Sequence, residues 1–248
     1  MARQPRLVFA GHPLHVVHRG VNRGACFADD GDRTFYLGLL QEHLPKAACS
    51  LHAYVLMTNH VHLLITPDED DSAARFVKAV AQRYAQRCNK RWRRTGPFWE
   101  TPFKSSLVDS HAYALNCHRY IEENPLRAGM VRHPAEYRWS SFRANAMGYP
   151  CPFLTEHGSV RALDADPVER RIAYRALFDT PQPEAELKRF REALKSSLAA
   201  GSPEFIEHVA IASGRRATRR NRWREPAQKM SESGCFPGVT TSAGRGRR

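Results

Sequence analysis

The chain has 248 residues, 42% of them apolar, which suits one large domain or a domain with an appendage. Its 38 Lys and Arg against 25 Asp and Glu give a formal net charge of +13, which attracts polyanions, chiefly nucleic acid and less often an anionic membrane. No apolar run is long enough to span a bilayer, and Met1-Ala2-Arg3-Gln4-Pro5-Arg6 leads into no apolar signal core, so a membrane role is disfavoured and a cytoplasmic location expected.

His15 to Arg23 reads as a first strand, with Val16 and Val17 as apolar bulk and Gly20 and Gly24 loosening its end. Arg19, Asn22 and Arg23, beside His18, suit a phosphate backbone; a solvated basic strand end explains them equally well. Asp30-Gly31-Asp32 places acids where a helix dipole favours them, and Phe35, Leu39 and Leu40 follow at helical spacing, so a helix is expected over 33–44, ended by Pro45.

Leu51–Met57 and His60–Ile65 read as two short buried strands joined at Thr58-Asn59. Alternate side chains of a strand share a face, so His60 and His62 point one way and Val61 and Leu63 the other. Two imidazoles on one face supply part of a divalent metal site. A half-exposed strand carrying two histidines is the ordinary alternative. The acids Asp68-Glu69-Asp70-Asp71 are expected as a solvated helix cap rather than a metal site.

Ser72 to Trp92 reads as a long helix with the apolar stripe Phe76, Val77, Val80, Ala81 and Tyr84. Lys78, Arg83, Arg87, Lys90, Arg91, Arg93 and Arg94 load it with positive charge, a candidate phosphate-binding face. Phe98 and Trp99 either stack on unpaired bases or cap the core. Phe103 to Val108, with Lys104 as a further candidate DNA contact, reads as a fourth strand, and Asp109 or Ser110 caps a helix from about His111. The order β-α-β-β-α-β followed by another helix closes as one antiparallel sheet with helices on one face, an α+β, ferredoxin-like sandwich.

On that last helix Tyr120 and Asn124 are four apart and share a face. Pro125 lacks an amide donor and biases Asn124 away from helical geometry, so the helix is expected to end or kink there. Tyr113 lies two turns earlier on nearly the same face, so position does not choose between the tyrosines. Packing in the core is the usual role of such a ring.

Tyr137-Arg138-Trp139-Ser140-Ser141-Phe142 looks like an aromatic strap. Helices are expected over 166–177, 184–198 and, more briefly, 203–212, with 179–183 as a linker. Arg215, Arg216, Arg219, Arg220, Arg222 and Arg224, with Trp223 among them, suit phosphate contact and base stacking. Beyond them the chain lacks apolar periodicity, and disorder is expected. The chain thus divides into a domain at 8–148, a helical extension at 149–214 and a basic tail at 215–248. The six cysteines form no Cys-x-x-Cys pair, so free, mostly buried thiols are expected rather than structural zinc.

Taken in order, these motifs resemble the REP-associated tyrosine transposases, a branch of the single-tyrosine HUH transposases of bacterial insertion sequences. The resemblance rests on His15 to Arg23, Asn59-His60-Val61-His62, Trp99 through Ser105, Tyr120 through Gly129 and Tyr137 to Ser141. It spans about residues 8–145, and the later part through Phe205-Ile206 and Gly214-Arg215-Arg216 also looks like that family's extension. It implies His60, His62 and Asn124 as ligands of Mg²⁺ or Mn²⁺ and Tyr120 as nucleophile. It implies cleavage and rejoining of single-stranded or hairpin DNA, such as palindromic repeats, through a 5′-phosphotyrosine. A monomer or homodimer at the bacterial nucleoid would go with this. One departure stands out: Trp99-Glu100-Thr101-Pro102-Phe103 replaces the family's Trp-Gln-x-Arg-Phe, which removes a phosphate contact. That bears on DNA affinity or substrate choice more than on chemistry. Two rivals remain: a catalytically silent DNA-binding protein on the same fold, and a metal-dependent nuclease that uses water.

Overall fold

The computed structural model describes residues 6–100, 102–109, 112–214 and 216–218. In chain order, β1 (Leu14–Arg19), α1 (Asp30–Lys46), β2 (Cys49–Leu56), β3 (His60–Pro67), α2 (Ser72–Arg91), β4 (Lys104–Val108) and α3 (Ala112–Glu122) form the first part. The short helices α4 (Asn124–Arg127), α5 (Phe142–Met147), α6 (Gly158–Arg161) and α7 (Pro167–Ala176) follow, then α8 (Glu184–Ser196), β5 (Ala199–Ala200) and α9 (Pro203–Ser213). The sheet runs β2-β3-β1-β4-β5. Its first four strands are antiparallel neighbours in the ferredoxin-like order, and β5 adds a short parallel edge to β4.

Register decides what each face carries. β1 pairs with β3 from Leu14↔Ile65 to Arg19↔His60. Opposed residues share a face, so His15, Val17, Arg19, His60, His62 and Leu64 lie together, with Lys104 opposite Val17 on the other side of β1. Leu14, Val16, Val61, Leu63 and Ile65 form the reverse face, all buried.

The reverse face is covered by α1 and α2. Tyr36 and Tyr84 from these helices meet Trp99, whose ring stacks 4.5 Å from His18. On the histidine face sits α3, with the Tyr120 ring 5.5 Å from His15 and 6.0 Å from His62. The sheet is therefore sandwiched on both sides, which extends the one-sided arrangement expected for its first two helices. Residues 149–214 contribute to two apolar clusters: Leu187, Phe190, Ala193 and Leu194 of α8 and both residues of β5 join that of the sheet, while Val160 and Tyr174 pack with Phe142 and Ala146 in a second one.

Strand β1 stops at Arg19, and Val21–Arg23 forms a 3-10 turn with Asn22 and Arg23 at φ 53° and 57°, where a continued strand was expected. Gly20 allows the turn to close, since a Cβ there would meet the Gly24 carbonyl oxygen at 2.4 Å. Helix α3 ends at Glu122, just short of Asn124, and Asn124, expected away from helical geometry, instead opens the short helix α4. Pro125 cannot donate to the Ile121 carbonyl, and the Asn124 side-chain Nδ2 donates there instead at 3.3 Å and to the Tyr120 carbonyl at 2.8 Å.

The strap at 137–142 runs along β2. Tyr137 donates its hydroxyl to the Leu56 carbonyl at 2.7 Å, Ser140 bridges Val55, and the Tyr54 amide donates to Ser141 Oγ at 2.9 Å. Cys26, Cys49, Cys88 and Cys117 are buried free thiols. Among the described residues no helix is long and apolar enough to cross a membrane. Arg215, Arg219, Arg220 and Arg222, and the expected disorder beyond them, lie outside the described residues.

Candidate active site

An open cleft of about 370 Å³ lies between the histidine face of the sheet, α3 and α8. His60, His62, Tyr120 and Asn124 line it, over a floor of Val17 and Leu194. Four cations share its walls: Arg19 from β1, Lys104 from β4, and Arg191 and Lys195 from α8.

The imidazoles are set by their outer partners. Their ring centroids are 4.9 Å apart. Nδ1 of His60 lies 2.7 Å from Asn59 Oδ1, which can only accept, so His60 carries its proton on Nδ1 and keeps Nε2 bare. Nδ1 of His62 lies 2.8 Å from Nε2 of His15, which commits that nitrogen too and leaves Nε2 for a ligand. Burial holds His60 down to about 4 and His62 well below the usual histidine range, so both are neutral at pH 7. Neutral imidazole is the form that binds metal. His15 is itself buried, its pKa lowered to about 3, and its Nδ1 has no hydrogen-bond partner among the described residues.

Tyr120 is only 7% exposed. Its ring packs 5.3 Å from Phe190 of α8, and the Arg127 guanidinium lies 4.8 Å from the ring centroid. Arg127 also donates to the Tyr120 carbonyl and pairs with Glu123 at 2.8 Å. Burial raises the phenol's pKa, and Arg127 and Arg191 pull it back down. Just before the break in α3, Glu122 is fully buried and takes hydrogen bonds from Ser141 Oγ at 2.5 Å, Asn145 Nδ2 at 2.8 Å and the Tyr174 hydroxyl at 2.8 Å. That network ties the helix end carrying Tyr120 and Asn124 to the strap and to α7.

The donor set fits a divalent ion. Two bare Nε2 atoms and the Asn124 amide oxygen, left over once Nδ2 caps the helix carbonyls, make a mixed nitrogen and oxygen site. Among the described residues no three His, Cys, Asp or Glu side chains gather as a metal site, so an ion held by the two histidines would draw its other donors from amide, phosphate or water.

The remaining basic candidates are dispersed. Asn22 and Arg23 are exposed beyond the end of β1, where the Arg23 carbonyl accepts from Asn59 Nδ2 at 3.2 Å. Arg87, Arg91, Arg93 and Arg94 belong to α2 and the loop after it, across the sheet from Tyr120. Arg87 lies over the Phe35 ring at 4.2 Å and Arg94 over Phe98 at 5.2 Å. Arg91 is committed to Asp29 at 2.5 Å and to the buried Asp32, which joins α2 to the start of α1. Arg93 and Arg216 are exposed.

Phe98 and Trp99 are buried, and Trp99 Nε1 donates to the Ala81 carbonyl at 3.1 Å, so these rings cap the core and do not present faces to bases. Of the acids before α2, Glu69 pairs with Arg75 at 2.5 Å and Asp70 accepts from the Ala10 amide at 3.0 Å. Tyr113 shares a helix face with Tyr120 but sits about 10 Å away along the axis. Its hydroxyl accepts from Arg189 at 3.1 Å in a different pocket, beside Ala199, Pro203 and Ile206.

Sequence reasoning missed His15, Arg191, Lys195 and the partners of Glu122. His15 alternates with Val17 and Arg19, which puts it on their face, but only the register of β1 on β3 brings it to His62. Arg191 and Lys195 are four apart on α8, a spacing that reads as an ordinary solvated face.

Residues 9–124 match the family model described as an IS200-like transposase. A solved REP-associated tyrosine transposase bound to a REP hairpin superposes with a TM-score of 0.52 at 17% identity, over 64% of this chain and 96% of its own. That likeness shows a shared fold. A chain assigned as a transposase from Deinococcus radiodurans covers 49% of this one and 97% of itself, at 21% identity and a TM-score of 0.34. No curated protein sequence matches.

Proposed function

We propose that this chain, whose residues 9–124 match the IS200-like transposase family model, cuts and rejoins single-stranded or hairpin DNA through a covalent bond between Tyr120 and a 5′ phosphate. The observation that carries this reading is the meeting of Tyr120, His60, His62 and Asn124 in one cleft walled by four cations. The hairpin partner is carried over from the solved relative, whose bound DNA is a REP hairpin.

The residues divide the work. Arg19 and Lys104 flank His60 and His62 on the sheet face, where they offset the charge that makes a phosphodiester repel nucleophiles. His60, His62 and Asn124 would hold Mg²⁺ or Mn²⁺. Such an ion polarises a phosphate oxygen when bound. The hydroxyl oxygen of Tyr120 attacks phosphorus and gives up its proton, and the 3′ oxygen leaves with the bonding pair and takes up a proton. The reverse attack by the 3′ hydroxyl rejoins the strand with no outside energy source.

Incubation of the full chain with a single-stranded hairpin oligonucleotide and Mn²⁺, then denaturation, should trap DNA on the protein. Cleavage with no trapped adduct would favour a water nuclease. Binding with neither adduct nor cleavage would favour a silent DNA-binding protein.

A further inference from the structure

Helix α8 lies outside residues 9–124, yet it closes the cleft. Leu187, Phe190, Ala193 and Leu194 bury one stripe against the sheet and α3, and Phe190 packs directly on Tyr120. That anchoring sets where the rest of the helix points. Arg191 and Lys195, four residues apart, share a face, and both line the cleft beside His60, His62, Tyr120 and Asn124.

Arg191 is half exposed and partly fixed. Its Nη1 donates to Glu184 Oε1 at 2.6 Å, one end of the guanidinium held by the first turn of the same helix. An arginine has five donors, so the others remain for a second acceptor. Arg127, the other arginine beside Tyr120, points Nη1 at Glu123 and Nη2 at the Tyr120 carbonyl and does not line the cleft. A phosphate brought to the Tyr120 hydroxyl therefore meets Arg191 as its arginine on that side of the cleft.

We propose that Arg191 and Lys195 form a phosphate clamp that completes the active site from the C-terminal extension, with Arg191 gripping the scissile phosphate and Lys195 the phosphate next to it. The clamp rests on the reading of Tyr120 as nucleophile. A planar guanidinium can take two phosphate oxygens in parallel, whereas lysine supplies a point charge. As the new bond to phosphorus forms, charge gathers on the non-bridging oxygens, and a fixed cation at that place counts most in the transition state. Phosphate binding by the family-matched domain alone then lacks two of the four cations of the cleft.

The test uses the full-length chain. Single-turnover adduct formation on a hairpin oligonucleotide with Mn²⁺ should slow about 100-fold in Arg191→Ala and recover in part in Arg191→Lys, with hairpin affinity within about threefold because wider basic surfaces supply it. An unchanged rate, or a loss wholly explained by weaker hairpin binding, would overturn the clamp. A second measurement needs no chemistry: binding of a single-stranded tetranucleotide to Tyr120→Phe protein, with and without Arg191→Ala and Lys195→Ala. The added pair should weaken binding about tenfold and lower the salt slope by about one to two counterions. Equal binding would also overturn the clamp. Wild-type protein that forms no adduct but shows the tetranucleotide effect would instead sink the Tyr120 reading and leave the clamp standing.

Discussion

Nε2 of His15 lies 2.8 Å from Nδ1 of His62, so a strand outside the His-x-His motif governs which nitrogen of that motif faces the cleft. For His62 to offer Nε2 as a bare donor, Nδ1 must carry the proton and His15 must accept it. His15→Phe keeps a ring of similar bulk and removes the acceptor. The expected result is Mn²⁺ binding about 10- to 100-fold weaker by calorimetry, with the fold intact. His15→Gln restores an acceptor and should recover much of the loss. Equal Mn²⁺ affinity in all three proteins would show that His15 merely packs.

Glu122 makes folding stability depend on pH in a direction opposite to most carboxylates. Burial pushes its pKa up to about 7 from an ordinary value of 4.5, against the opposing pull of its three hydrogen bonds. Between these values the folded protein keeps a proton that the unfolded chain releases, so stability contributed by this group falls as pH rises. The penalty is absent below about pH 4.5 and complete above about 7, on the order of 3 kcal/mol. Glu122→Gln stays neutral and can donate to Tyr174 while accepting from Ser141. Urea unfolding at pH 5 and pH 8 should show wild type losing ground to Glu122→Gln at the higher pH by about that amount. Parallel pH dependence in the two proteins would remove Glu122 as the source.

Arg91 separates structural charge from ligand-binding charge. From the sequence it belonged to a basic face; in the fold it answers Asp29 and the buried Asp32. Arg91→Ala strands a buried carboxylate at the start of α1. Urea unfolding should show a loss of stability, smaller than for a fully buried pair because the arginine is partly exposed. Hairpin affinity at a temperature where the variant is folded should stay near wild type. A fall in affinity with stability unchanged would return Arg91 to the DNA interface.

What could be read in the sequence was local. The stripe expected over 72–92 is the helix Ser72–Arg91, and the helix expected over 184–198 is Glu184–Ser196, because apolar periodicity needs no knowledge of partners. The shared face of His60 and His62 follows from alternation within one strand, and that of Tyr120 and Asn124 from a spacing of four. What escaped depends on contacts distant in the chain. Arg91 meets Asp32 across 59 positions, and His15 meets His62 across 47. Trp99 has the chemistry of a base-stacking ring, and only its neighbours Tyr36, Tyr84 and His18 make it a core residue. Two alanines at β5 carry no strand signal of their own; pairing with Leu107 and Val108 defines them.

The sharpest prediction assigns one atom. Tyr113 and Tyr120 share a helix face, and the sequence leaves both open. Their surroundings differ: Tyr120 opens on the cleft with His60, His62 and Asn124, while Tyr113 donates to or accepts from nothing in that cleft and takes a hydrogen bond from Arg189. Tyr120→Phe removes one oxygen and keeps the ring against Phe190, His15 and His62, so the thermal melt should move little. Adduct and cleavage on a single-stranded hairpin with Mn²⁺ should vanish, whereas Tyr113→Phe should cut at near wild-type rate. Mass spectrometry of a digested, denatured complex reads the site directly, and DNA on the peptide bearing Tyr113 would overturn the assignment. Because His60→Ala and His62→Ala remove donors and leave the nucleophile, each should also abolish adduct while hairpin affinity stays within about tenfold. Full adduct formation by either variant in the presence of chelator would take the metal out of the reaction and leave the cations of the cleft as its electrostatic support.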